Sequence, residues 1–176
     1  MFSLSMDLAA ALADDLDAAF PRLVERFGRD VYNLALRLTG RPDAEDAAQD
    51  AFVRAYTALR GYEPKRIHDI DLRPWVITIA LNVARNRLRT QARHPTAPLP
   101  DATPTTTNDH DPDRRLTLAA ALDTLALPAR QAVVLRHVIG CSTDETAAIL
   151  GRPTGTVKAQ VARGLAALRT QLEDYR

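Results

Sequence analysis

Apolar residues along this chain recur at three- and four-residue steps, interrupted by glycine and proline, and almost nowhere at steps of two. That period marks one face of an α-helix, whereas a half-buried strand needs alternation, so the pattern predicts an all-α protein. In the first stretch Phe20, Leu23, Val24, Phe27, Val31, Leu34, Ala35 and Leu38 share one face, which Gly40 and Pro42 bring to a stop. A second helix is expected with Asp43 as its N-cap and Asp46 in its first turn, where carboxylates suit the positive end of the helix dipole. Its inner stripe is Ala48, Phe52, Ala55 and Leu59, which turns Asp46, Gln49, Asp50 and Arg54 outward. A third helix is expected over 74–89, with Pro74 at a first helical position and Val76, Ile79, Ala80, Val83 and Leu88 facing inward. The connection over 61–72 reads as a long, charged loop.

Over 94–113 the pattern dissolves. Pro95, Pro98, Pro100, Pro104 and Pro112 alternate with Thr, Asp and Asn, and large apolar residues nearly vanish. Such a stretch cannot bury enough surface to offset its ordering entropy, so a flexible linker is expected. Helical periodicity then returns over 114–176, in segments near 116–125, 128–138, 142–150 and 156–172. Ser142 and Glu145 form a capping-box pair, Gly151 suits a left-handed turn, and Pro153 and Gly155 are expected to keep the next connection out of a helix. The last helix is expected to face Val157, Val161, Leu165 and Leu168 inward. The predicted architecture is two small helical domains, 1–93 and 114–176, joined by a Pro/Thr/Asp-rich linker over 94–113.

The second domain carries the most specific local constellation. Two short helices meeting at a tight angle need a small residue at their contact, a glycine in the turn and a branched apolar residue on the second helix. Ala147, Gly151 and Val157 meet those needs, which predicts a helix-turn-helix. A recognition helix should carry polar and basic residues at its start and outer side, and Arg152, Thr154, Thr156, Lys158, Gln160 and Arg163 are so placed.

Charge adds a second nucleic-acid candidate. The net charge of the 176 residues is only +1, but no carboxylate falls between Asp71 and Asp101, where Arg73, Arg85, Arg87, Arg89 and Arg93 lie. Another acid-free basic stretch runs from Glu145 to Glu173, with Arg152, Lys158, Arg163 and Arg169. Two basic stretches in a nearly neutral chain suggest two anionic contact surfaces. On the third helix, Trp75 beside arginines suits single-stranded DNA, with bases stacked on the ring and phosphates held by guanidinium groups; the same spacing also suits a tryptophan in the core. Asn82 reads either as a base-edge contact or as a solvated polar residue.

Composition excludes other classes. No apolar run approaches the roughly 20 residues that cross a bilayer. The first residues lack the basic region of a signal peptide, so a cytoplasmic protein is expected. Cys141 is the only cysteine, so no intrachain disulfide can form, and a lone cysteine is expected to be a small buried apolar residue. His68, His94, His110 and His137 lie apart from any ligand-spaced partner, and there is no glycine-rich phosphate loop. No metal, cofactor or catalytic set is expected, and the chain is not read as an enzyme.

Three strings then carry a resemblance. DAEDAAQDAFVRAYTAL (43–59) resembles region two-point-two of the sigma-seventy family, RPWVITIALNVARNRLR (73–89) its promoter-melting segment, and the string over 127–172 its region four. Their order, with a linker between, resembles the extracytoplasmic-function group. The resemblance implies a sigma factor that guides bacterial RNA polymerase core to promoter DNA. Asp46, Gln49, Asp50 and Arg54 would dock on the core polymerase. Trp75, Asn82, Arg85 and Arg89 would meet the melted minus-ten element, and Arg152, Thr154, Thr156, Lys158, Gln160 and Arg163 the minus-thirty-five duplex. An anti-sigma factor is an implied partner. The chain departs from the family pattern at Asn86, Ala159 and Gln160, and in a longer loop over 63–72 that carries Leu72 where an aromatic is common. The competing reading is a stand-alone helix-turn-helix regulator that binds duplex DNA as a dimer, with the first domain as sensor.

Overall fold

The computed structural model describes residues 2–93 and 112–173, with the side chains of 7–93 and 118–171. Among the described residues every regular element is helical: α1 (Phe2–Asp14), α2 (Leu16–Thr39), α3 (Arg41–Arg60), α4 (Pro64–His68), α5 (Leu72–Arg93), α6 (Pro112–Asp123), α7 (Leu127–Val133), α8 (Thr143–Leu150) and α9 (Thr154–Glu173). The expected linker lies outside the described residues, apart from Pro112 and Asp113, which open α6.

The first half is built on α2, α3 and α5. Leu23, Phe27, Val31, Leu34 and Leu38 of α2 are buried as the spacing predicts. They meet a face of α3 lined with Ala44, Ala47, Ala48, Ala51 and Ala55, whose small side chains allow close helix approach. α5 closes the group with Val76, Ile77, Ala80, Leu81, Val83 and Ala84. α1 packs on α2 and α4 through Leu8, Ala9 and Leu12. A tight junction follows, in which Asp15 caps α2 by accepting from the Ala18 N–H at 3.0 Å.

Two expectations about α3 and its surroundings need correction. Gly40, not Asp43, occupies the N-cap position; its φ of 81° lets one residue end α2 and start α3. Asp43 lies within the first turn of α3 and reaches α5 instead, accepting from Gln91 at 2.6 Å. The stretch over 61–72 is not an open loop. It contains α4, whose Ile67 is buried, and it ends at Leu72, which has no exposed surface and starts α5 two residues before Pro74. Burying a leucine there contributes about 2 kcal/mol, which anchors the segment to the core.

In the second half, α7 passes without a break into a π-helical turn over Val134–Val138, closed by the Ile139 N–H donating to the Val134 carbonyl. α7 and α9 cross at Gly164, where a Cβ would stand 2.6 Å from the Val133 side chain. The capping box forms as expected: the Glu145 N–H donates to Ser142 Oγ at 3.0 Å, and the Ser142 N–H to Glu145 Oε2 at 2.6 Å. Gly151 adopts the left-handed conformation (φ 63°), and the Arg152 N–H donates to the Ala147 carbonyl, closing α8 in a Schellman turn. α9 begins at Thr154 and takes Gly155 into its first turn, two residues earlier than expected. The two halves are in contact, α5 against α8 and α2 against the π-turn.

Candidate polymerase and nucleic-acid interfaces

The outer face of α3 is as the inner stripe requires. Asp46, Gln49, Asp50 and Arg54 are all exposed, and Val53 between them leaves 65% of its surface in water. An exposed aliphatic residue ringed by charges is suited to a protein contact, and sequence periodicity passed over it because it falls off the apolar stripe. Asp50 is partly engaged, since its carboxylate accepts from Arg87 at 2.6 Å while Asp43 lies 3.5 Å from the same guanidinium. Arg87 therefore braces α3 against α5.

α5 carries the expected single-strand candidates, but in unequal states. Asn82 and Arg89 are exposed; Arg89 donates to the Asn86 side chain at 3.0 Å. Trp75 resolves its two readings in part: it is half-buried against the core, with the Tyr62 ring edge-on at 6.3 Å. The Arg66 guanidinium covers the Tyr62 ring at 3.7 Å, so α4 adds a cation–aromatic stack beside Trp75. Arg85 is turned toward the other half of the molecule and donates to Gln131 at 2.9 Å. Burial, and then the charge of Arg152, lower the pKa of its guanidinium.

On α9, Thr154, Thr156, Lys158 and Arg163 are exposed along one side, and Arg152 is half-buried in the turn before them. Gln160 is a correction. It is 94% buried, since only 6% of its surface is exposed, and it lies with Val157, Gly164 and Leu168 on the inner face. The helix is rotated by about one position from the expected stripe: Val161 is half-buried and Leu165 is 37% exposed. Gln160 cannot present its amide to a base from that position. Residues at 157, 160, 164 and 168 repeat with helical spacing, so the signal was present, but a polar side chain disguised it.

Cys141 is buried at the junction of the two halves, and burial pushes its thiol pKa up. Among the described residues no cluster of His, Cys, Asp and Glu could hold a metal ion, and no helix is long and apolar enough to cross a membrane.

The two halves match known proteins in the same order. Residues 23–94 match the sigma-70 region 2 family and residues 115–168 match sigma-70 region 4. The chain is 37% identical over 163 residues to the ECF RNA polymerase sigma factor SigM of Mycobacterium tuberculosis, covering 92% of this chain and 80% of that protein. It is 42% identical over 140 residues to an RNA polymerase sigma-E factor of Streptomyces avermitilis, covering 79% and 76%. The solved structure of CnrH in complex with the cytosolic domain of CnrY superposes with a TM-score of 0.72 at 30% identity, covering 97% of both chains. A second, the sigma factor RpoE in complex with the anti-sigma factor NepR from Bartonella quintana, shares the fold at 24% identity and a TM-score of 0.72. The chain belongs to the sigma-70 family, in its extracytoplasmic-function group.

Proposed function

We propose that this sigma factor directs bacterial RNA polymerase core to a specific set of promoters in the cytoplasm, reading the minus-thirty-five element as duplex and opening the minus-ten element. It is a transcription initiation factor and not an enzyme. The observation that carries this reading is the match of both halves to the family's two regions, in order, together with an α9 whose Thr154, Thr156, Lys158 and Arg163 stand free on one side. Those residues fit duplex readout, with Arg152 as a phosphate contact at the turn; Gln160 is left out. Trp75, Asn82, Arg85 and Arg89 fit capture of unpaired bases, which offsets an unpairing cost of a few kcal/mol. The exposed α3 face fits a docking contact with core polymerase. The similar CnrH was solved in complex with the cytosolic domain of CnrY, which supports a protein partner here as well, and an anti-sigma factor is the partner that the family implies.

The test is co-migration with sigma-free core polymerase on a sizing column. A one-to-one complex is expected, weakened by Asp46→Lys and Arg54→Glu. Asp46 and Arg54 are preferred to Asp50, because reversing Asp50 would also break its pair with Arg87. A protein that ignores core polymerase, runs as a dimer and binds duplex DNA would sink this reading in favour of the stand-alone regulator.

A further inference from the structure

A cleft of about 380 Å³ opens where three segments of the first half meet: the α1–α2 junction, the last turn of α3, and α4 with the residues that lead into it. Leu12, Leu59 and Ile67 form its floor and are buried. Leu16 and Tyr62, both half-buried, add an apolar wall. The rim carries Asp14, Asp15 and Asp17, all exposed, against a single base, Arg60. Arg60 forms no ion pair among the described residues; its guanidinium lies 6.0 Å from the centre of the Tyr56 ring.

Two of the three carboxylates are explained by α2. Asp15 caps it through the Ala18 N–H, and Asp17 in its first turn accepts from the Tyr56 hydroxyl at 2.6 Å. Both also lie at the positive end of that helix's dipole. Asp14 is different. It is the last residue of α1, where the negative end of the dipole disfavours a carboxylate, and no base stands in that last turn. Among the described residues the carbonyls of Leu12, Ala13 and Asp14 accept no backbone hydrogen bond across the junction, and the Asp14 carboxylate has no hydrogen bond or ion pair. An unpaired carboxylate at the wrong end of a helix, set over an apolar floor, suits a cation brought from outside the chain.

The chemistry of the cleft narrows its occupant. Three carboxylates repel the phosphates of DNA. A free small cation would keep much of its surface in water between exposed side chains, and exposed ion pairs hold little by themselves. A lysine or arginine side chain carried on a protein segment meets both halves of the site: its apolar stem suits the wall of Leu16 and Tyr62, its charged head suits the rim, and its neighbours add buried surface. We propose that this cleft is a docking site for a basic segment of a partner protein, which inserts one arginine or lysine side chain between the α1–α2 junction and α4, with Asp14 and Asp15 as its anions. The site shares no residue with the outer face of α3 or with α9, and the proposal does not rest on the sigma-factor reading.

Selection of a random peptide library, displayed on phage, against the immobilised full chain tests the proposal, with counter-selection on the double variant Asp14→Asn, Asp15→Asn. Asparagine still caps a helix, so α2 should keep its start, and circular dichroism checks that the variant remains helical. Wild type is expected to retain peptides that the variant loses, carrying Arg or Lys beside Leu, Ile or Val. The strongest of them, added as a free peptide, should shift the amide NMR signals of Leu12–Asp17 and Tyr62. It should bind the variant about fivefold more weakly, as the loss of two exposed charge pairs implies, and replacing its base with glutamine should cost a similar factor. Asp14→Asn alone serves should the double variant misfold, and it should melt no lower than wild type, because it removes a charge from the wrong end of α1. A lower melting temperature would mean that Asp14 serves the fold, and it overturns the proposal. So does a selection that yields no peptide, or peptides that bind the variant equally well or shift signals elsewhere. Arginine amide or spermidine matching the peptide in both shifts and affinity makes the cleft a small-cation site and overturns the protein partner.

Discussion

α5 and α9 are both long basic helices, α5 free of carboxylates and α9 free of them up to its last residue, Glu173, and by charge alone they look equivalent. The structure separates them. On α5, Arg73, Arg85 and Arg87 are committed to partners elsewhere in the chain. On α9, Lys158 is exposed and Arg163 reaches only the Ala159 carbonyl one turn back on its own helix. The difference is one of position: α5 lies between α2, α3 and α8, so a long basic side chain on most of its faces meets another element. α9 lies at the edge, with α7 and α8 on its inner side. Basic charge counted along a sequence is therefore not the same as basic charge offered to DNA.

The largest expected effect comes from disturbing what keeps the outer side of α9 free. Gly164→Val would drive methyl groups into Val133 at the α7 crossing and should cost about 2–3 kcal/mol in urea unfolding, with loss of duplex binding as α9 shifts. Next is Arg87→Met, which removes a brace whose carboxylate partners, Asp43 and Asp50, then stand close without a cation between them. A loss of about 1–2 kcal/mol is expected by thermal melting. Lys158→Ala sharpens the contrast from the other side. Stability should stay within about 0.5 kcal/mol, while the salt dependence of duplex binding should fall by about one phosphate contact. Gln160→Leu, by contrast, should leave that salt dependence unchanged.

The smallest effect is on pH. Glu145 has its pKa lowered, first by the Ser142 backbone N–H and, against some desolvation, also by the Ser142 hydroxyl, Arg73 and Arg136. A carboxylate with a depressed folded pKa contributes stability that is fully present above its ordinary value and lost as pH falls through the folded one. The α8 cap should thus hold at neutral pH and weaken only below the usual carboxylate range. Comparing wild type with Glu145→Gln in melts from pH 7 down to pH 3 checks this: the gap between them should narrow with acid.

Much of the fold was legible because it is local. The stripes of α2 and α3, the Ser142–Glu145 box and Gly151 each have a signature within a few residues. What was not legible depends on distant pairs or on phase. The ties of Arg73 to Asp30 and Glu145 span the chain and leave no local pattern. Gly164 reads as a helix weakener until Val133 is placed beside it. The phase of α9 is disguised because an apolar Leu165 suggests an inward position and a polar Gln160 an outward one, whereas the Gly164 crossing sets the rotation. α4 was hidden in a run of charges, with Ile67 as its buried anchor. The polar site fared similarly: Asp46, Gln49, Lys158 and Arg163 stand where expected, whereas Asp50 and Arg85 are half spent on internal partners.

Cys141 gives the molecule a built-in gauge. Its sulfur is covered, and its thiol is surrounded by the electrostatic influence of Arg73, Glu145, Asp30 and Arg136, the groups that meet where the two halves join. A thiol held protonated and shielded reacts slowly with maleimide or iodoacetamide, and each alkylation event must wait for that junction to part. The speed at which an unmodified sample consumes such a reagent is thus a clock for how often the joint opens. It can be read without attaching any probe, because the chain has no other sulfhydryl to confuse the count.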